Sequence, residues 1–155
     1  MPRIKLHGQP HYEFTYQVTI QVGHINYSGH LGHDSIIQIL HEARANMLHT
    51  LGLDELNLGD GKTGVIAGDT VVTFKNEGFM FEILRVESHI GEVSPADFRV
   101  FHRITRTGQL VALSEVGLVG FDYSTRTIVP IPETFNRALV QYRQGLQTKK
   151  EHDDG

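Results

Sequence analysis

Five histidines, His24, His30, His33, His41 and His49, fall within a window of 26 residues that also holds Asn26, Asp34 and Glu42. Imidazole exchanges protons near neutral pH and ligates metals, while a carboxylate takes a proton from water or attacks directly. The chain has 155 residues and no cysteine, which excludes a thiol nucleophile, a disulfide scaffold, a zinc ribbon and an iron–sulfur cluster. A nucleophile must therefore be water, a hydroxyl or a carboxylate. Two chemistries fit the window: acid–base catalysis through Glu42, Asp34 or the loop histidines, and metal binding by His24, His30, His33 and Asp34. The second has spacings that match no established ligand framework. The reading adopted is no metal and no cofactor.

Positioning such groups requires a loop held between regular elements. Tyr12, Phe14, Tyr16, Val18, Ile20 and Val22 alternate with Glu13, Thr15, Gln17, Thr19 and Gln21, a strand pattern over 12–22. A loop rich in glycine and histidine follows at 23–32. The period then changes: Ile36, Ile37, Leu40, Ala43, Met47, Leu48 and Leu51 recur at helical spacing, with Asp34 or Ser35 as N-cap and Gly52 as the stop. Between Ser35 and Leu51 only Glu42 and Arg44 are charged, which predicts a helix over about 34–51 that is buried on most sides.

After a Gly/Asp loop at 54–64 the chain reads as strands to about 129. Leu84, Val86 and Ile90 alternate with polar residues, as do Phe98, Val100 and Ile104, and a turn at Thr107-Gly108 leads into a strand from Leu110. Short turns between consecutive strands predict antiparallel pairing. Pro132 opens a short amphipathic helix using Phe135, Leu139 and Leu146. One domain over 1–148 and a frayed charged tail over 149–155 are expected. The fold class is α+β: a curved antiparallel sheet of five to six strands around one long helix.

Fourteen basic against eighteen acidic residues, without basic blocks, speak against a nucleic-acid partner. No stretch is long and apolar enough for a membrane span, and the start carries no apolar leader, so the expectation is a cytoplasmic protein with no membrane partner.

The segment Gly29-His30-Leu31-Gly32-His33, continuing through Ile36 to His41-Glu42-Ala43-Arg44, resembles the signature of the 4-hydroxybenzoyl-CoA thioesterase-like group of hotdog-fold proteins. In that group a loop of the form Asp-x-x-Gly-His-(Val/Ile)-Asn-Asn opens a helix ending in Glu-Ala-Arg. The order strand, loop, long helix, further strands is also similar. The group's loop aspartate falls on Asn26 and its upstream aspartate on His24. An amide neither accepts a proton nor attacks an acyl carbon, so that role does not carry over.

A second register resembles the phenylacetate-pathway thioesterases, where a loop Asn and Gly precede a His-Gly-Gly and a carboxylate follows nine residues after that His. Here Asn26, Gly29 and His33 stand in the first positions, and Glu42 lies nine residues beyond His33. The resemblance implies a thioester hydrolase acting on an acyl-CoA or other acyl thioester, assembled as a homodimer or homotetramer with sites at the subunit interface. Glu42 of one chain would activate water for a loop of the other. Asn26 with His30 or His33 would position the reacting groups, and the amides at the helix start would polarise the carbonyl. Lys75, Arg103 and Arg106 are candidate partners for CoA phosphates.

Plainer roles stand beside these. Asp34 suits an N-cap, Asn26 suits a turn, His30 and His33 suit loop hydrogen bonds, and Glu42 suits a solvated helix edge. A hotdog domain that binds an acyl or CoA group without hydrolysing it is the alternative function.

Overall fold

The computed structural model describes residues 3–153. Six strands and two α-helices follow one another as β1 (Phe14–Thr19), α1 (His33–Thr50), β2 (Thr63–Phe74), β3 (Ile83–Val93), β4 (Asp97–Arg106), β5 (Gln109–Asp122), β6 (Thr127–Ile128) and α2 (Glu133–Asp153). The sheet is antiparallel throughout, in the order β1-β3-β4-β5-β2, with β6 added beside β5. The α+β architecture read from the sequence is the one observed. β1 and β2, the strands flanking α1 in sequence, become the two opposite edges of the sheet.

β1 is shorter than its alternation predicts. Val22 turns out into solvent in a short 3₁₀ turn at Val22–His24, while Ile20 is buried and exchanges backbone hydrogen bonds with Glu82 and Phe81 rather than with a regular ladder. The β4–β5 hairpin closes at Thr107-Gly108 as expected, both with positive φ (44° and 80°) as a two-residue hairpin turn requires.

α1 begins one residue earlier than Asp34, and its cap differs from expectation. Gly32 is the N-cap, in extended conformation and with no side chain to bond the first amides; Asp34 and Ser35 lie within the first turn. Gly52 does end the helix. It adopts φ +76°, and Leu53 N–H reaches back to Leu48 O at 2.8 Å, closing the last turn in the left-handed conformation that glycine favours.

Seven side chains of α1 are buried: Ser35, Ile36, Ile39, Leu40, Ala43, Met47 and Leu48. They press on the face of the sheet formed by Leu84, Val86, Val100, Ile104 and Val116. The opposite side, with Ile37, Gln38, His41, Glu42 and His49, is exposed, so the helix is amphipathic rather than buried on most sides. Few charges did not mean burial here, because Gln38, His41, Asn46 and His49 make that side polar without them.

α2 is longer than the expected short helix. Phe135 and Leu139 are buried, Phe135 stacking on Phe98 at 4.4 Å, and Tyr142 stacks on Phe14 at 4.9 Å where Leu146 had been expected to pack; Leu146 is exposed. The helix continues through Lys149 and Lys150, cations placed favourably at its C-terminal end, so the segment expected to fray is helical to Asp153. The remainder of that expectation, residues 154–155, lies outside the described residues.

A polar layer crosses the core. Ser88 of β3, His102 of β4 and Ser114 of β5 face each other across the sheet, with Ser88 Oγ and His102 Nδ1 2.8 Å apart. His102 Nε2 and Ser114 Oγ have no hydrogen-bond partner, and neither does the buried Nε of Arg44 on α1. Burial, reinforced by the Arg44 cation, pushes the His102 imidazole down to about 3. His102 is neutral when folded and titrates near 6.5 when unfolded, so between those values the unfolded chain binds the extra proton. Its contribution is complete above pH 6.5 and lost as the pH falls, by roughly 2 kcal/mol at pH 5. Urea unfolding of His102→Gln should give a flatter stability profile from pH 7.5 to 5 than the wild type. An equally steep profile would place the titration elsewhere.

Candidate active site

The loop before α1 is a small closed hairpin. Ile25 and Leu31 form an isolated bridge, Asn26 N–H donates to His30 O at 3.0 Å, and Gly29 N–H donates to Asn26 O at 3.0 Å. Asn26 closes an Asx turn by accepting Ser28 N–H on Oδ1 at 3.0 Å, and Gly29 supplies the positive φ of +87°. The side-chain oxygen of Asn26 is thus engaged within the loop.

At the end of the hairpin, Gly32 hands over to α1. A Cβ at Gly32 would lie 2.5 Å from Asp34 Oδ1 and 3.5 Å from Asn26 Cβ, so Asn26 and Asp34 close around it and a larger residue would require the Asp34 carboxylate to turn away. The first intrahelical bond is Ile36 N–H to Gly32 O. The amides of His33, Asp34 and Ser35 precede it at the positive end of the helix dipole, with no side chain capping them.

His30, Leu31, His33 and Ile36 form one wall of a cavity of about 330 Å³ at this helix start, and Phe74, Lys75, Asn76 and Glu77 form the other. The second wall is held by the sheet: Lys75 N–H donates to Val111 O at 2.8 Å, and Asn76 Nδ2 donates to Leu110 O at 2.6 Å. Leu31 N–H donates to Gly78 O at 2.7 Å and locks the two walls together. His33 meets Phe74 edge to face at 6.1 Å. His30 donates Nδ1–H to Leu31 O at 3.1 Å, which fixes the tautomer and leaves Nε2, 3.9 Å from Glu77 Oε1, as the basic nitrogen. Leu31, Ile36 and Phe74 supply apolar surface.

The structure brings His30 and His33 together in the cavity and sets Asn26 and Asp34 beside it at the helix start. It does not bring Glu42 there. Nine residues is two and a half turns, so Glu42 lies roughly 13 Å along α1 from His33 and on its opposite side. Its carboxylate accepts the Tyr16 hydroxyl at 2.7 Å, over the β1 edge, and that bond, with burial second, pushes the Tyr16 phenol up.

Of the basic candidates, Lys75 lines the cavity. Arg103 is spent on Glu87 at 2.8 Å and stacks over Tyr12 at 4.5 Å, and Arg106 is spent on Glu82 and Gln109. The histidines of the loop do not converge on a metal: His24 Nδ1 accepts Gln21 N–H at 2.9 Å, while His30 and His33 face the cavity. The wall from Phe74 to Glu77 escaped the sequence reading except for Lys75, because no local motif marks it; register with β5 carries it there.

A family model described as the thioesterase-like superfamily matches residues 20–139. The chain belongs to the thioesterase-like superfamily. A comparison with curated proteins finds no match. Among solved structures, this thioesterase-like chain is similar to a 1,4-dihydroxy-2-naphthoyl-CoA thioesterase from Synechocystis, with 21% identity over 82% of this chain and 95% of that one and a TM-score of 0.73. It is similar to a gentisyl-coenzyme A thioesterase at 20% identity over 80% and 98% of the two chains, TM-score 0.72. A protein from Staphylococcus aureus, solved in complex with CoA, is 19% identical over 84% of each chain, TM-score 0.76. These likenesses establish the hotdog fold.

The loop that carries Asn26 depends on the positive φ of Gly29, where a Cβ would meet nothing within 4 Å. Gly29→Ala should therefore cost about 1–2 kcal/mol through backbone conformation alone. A urea midpoint equal to that of the wild type would show that the loop rearranges freely.

Proposed function

We propose that the chain hydrolyses acyl-CoA thioesters in the cavity at the start of α1. The observation that carries this reading is a cavity lined by two imidazoles and an apolar wall beside a helix start that no side chain caps, on a fold and in a family of thioesterases. The thioester carbonyl lies against the amides of His33 to Ser35, whose partial positive charge grows in value as the oxygen becomes an oxyanion. Leu31, Ile36 and Phe74 receive the acyl or aryl group, and a volume of about 330 Å³ suits a small one. Lys75 meets a CoA phosphate.

Water attacks the carbonyl carbon, its proton passes to a base, and the thiolate leaves with a proton returned from that base. Two groups compete for that role. Within one chain the group in reach is His30, with Nε2 free of its own loop and Glu77 beside it. Glu42 requires a second chain, and its favouring observation is the Tyr16 hydroxyl that holds the carboxylate in a single orientation. Asn26 donates its NH₂ to the water or the carbonyl, His33 borders the acyl group, and Asp34 keeps the helix start in place.

Assembly as a homodimer belongs to the same reading. β2 is a twelve-residue strand whose only partner among the described residues is β5, so its outer edge, with Ile66 exposed, offers a row of backbone groups to a second copy. Light scattering should return at least twice the chain mass. A cytoplasmic location fits acyl-CoA substrates; among the described residues no helix is long and apolar enough to cross a membrane.

Thiol release from a panel of aryl and short acyl-CoAs tests the reading. His30→Ala should lower kcat about 100-fold or more, while Glu42→Gln should keep it within a few-fold. The reverse result would assign the base to Glu42 of a neighbouring chain. Lys75→Ala should raise KM several-fold with kcat unchanged. CoA binding without hydrolysis of any thioester would replace the enzyme by a binding domain.

A further inference from the structure

Away from the cavity, at the β1 edge, a second group of ligating side chains converges. His11 and Glu13 sit two residues apart in the irregular segment, bent at Glu13, that enters β1, and His89 of β3 lies beside both. Glu13 Oε2 is 2.7 Å from His89 Nδ1 and 3.9 Å from His11 Nε2, and the three ligand atoms all lie within 4.8 Å of one another. Tetrahedral zinc with bonds of about 2.0–2.1 Å needs ligand atoms roughly 3.3 Å apart. The observed distances bracket that value.

The surroundings hold the set in place. Glu13 Oε1 accepts Arg143 Nη2 at 2.7 Å and Ile90 N–H at 3.2 Å, so one oxygen is fixed by the protein and the other faces the two imidazoles. Outer hydrogen bonds of this kind orient ligating carboxylates. The His89 ring lies against Phe101 at 6.2 Å and against His11 edge to face at 4.9 Å. A shallow depression bordered by His11, His89, Glu92 and Arg143 opens the site to solvent. Glu13 beneath the depression and Glu92 on its rim set two carboxylates against the one guanidinium of Arg143, a balance that suits a cation.

We propose that His11, Glu13 and His89 bind a divalent transition-metal ion, zinc in the first instance, through two imidazole nitrogens and one carboxylate oxygen with water completing the shell. The donor set, borderline nitrogen with one oxygen, suits zinc and disfavours magnesium or calcium. The proton now between His89 Nδ1 and Glu13 Oε2 moves to the far ring nitrogen, or from a protonated ring to solvent, and nothing is oxidised or reduced. The ion fastens the segment entering β1 to β3 and, through the Glu13–Arg143 bond, to α2. It takes no part in thioester cleavage, whose cavity is lined by other residues.

The test is calorimetric titration of the EDTA-stripped, dialysed full-length chain with zinc chloride at about pH 7.5, with magnesium chloride in parallel. One zinc per chain is expected, weakened at least ~10-fold in His11→Ala and in His89→Ala and unchanged in His49→Ala, which removes an exposed histidine elsewhere. Magnesium should not bind. Zinc should also raise the melting temperature of the wild type by a few degrees but not that of His11→Ala, whose exposed side chain leaves the metal-free fold intact. No saturable uptake, or uptake in His11→Ala equal to the wild type, would overturn the site.

Discussion

Seven side chains of α1 press into the sheet, and that contact decides where every other group of interest can stand. A helix seated by Ile36, Ile39, Leu40, Ala43, Met47 and Leu48 cannot rotate without exposing them, so its polar side and its first turn are fixed together. Removing that much apolar surface from water is worth on the order of 10 kcal/mol before conformational entropy is counted. The first turn, by contrast, is capped only by a glycine. Stability is concentrated in the middle of the helix, which lets its start remain unsatisfied and open to a ligand.

The same seating explains why Glu42 and the loop part company. Positions nine apart on a helix face opposite directions, and the sheet beneath α1 turns that opposition into two separate edges: Glu42 over β1, His30 and His33 toward the end of β2. Within one chain, therefore, two imidazoles border the cavity and the helix carboxylate does not.

Much of the fold was legible in the sequence because the periodicities are clean. Alternation at Leu84 to Ile90 and at Phe98 to Ile104, the Thr107-Gly108 turn, and the helical spacing from Ile36 to Leu48 each report burial on one face, and burial is local enough to leave a pattern. What could not be read depends on long-range register. Phe74, Lys75, Asn76 and Glu77 become a cavity wall only because β2 pairs with β5, and His89 meets Glu13 only because β3 pairs with β1. Burial of His102 shows the same limit. Its same-face neighbours Val100 and Ile104 are apolar, yet nothing local says that Ser88 will sit opposite it. The low charge count of α1 misled for a related reason: uncharged polar residues serve as well as charged ones on a solvated face.

The bonds between Glu13 and α2 bear on the order in which contacts form as the chain folds. Arg143 is 130 residues from Glu13, and Tyr142, whose hydroxyl donates to Glu13 O at 3.1 Å, is 129 away. Phe14 at the start of β1 and the Glu13 carboxylate just before it both take a partner from α2, in Tyr142 and Arg143. Contacts of such separation close late, because the loop entropy must be met before they reward it. Strand pairing therefore precedes the docking of α2, which closes over Phe14 and Glu13 late in folding.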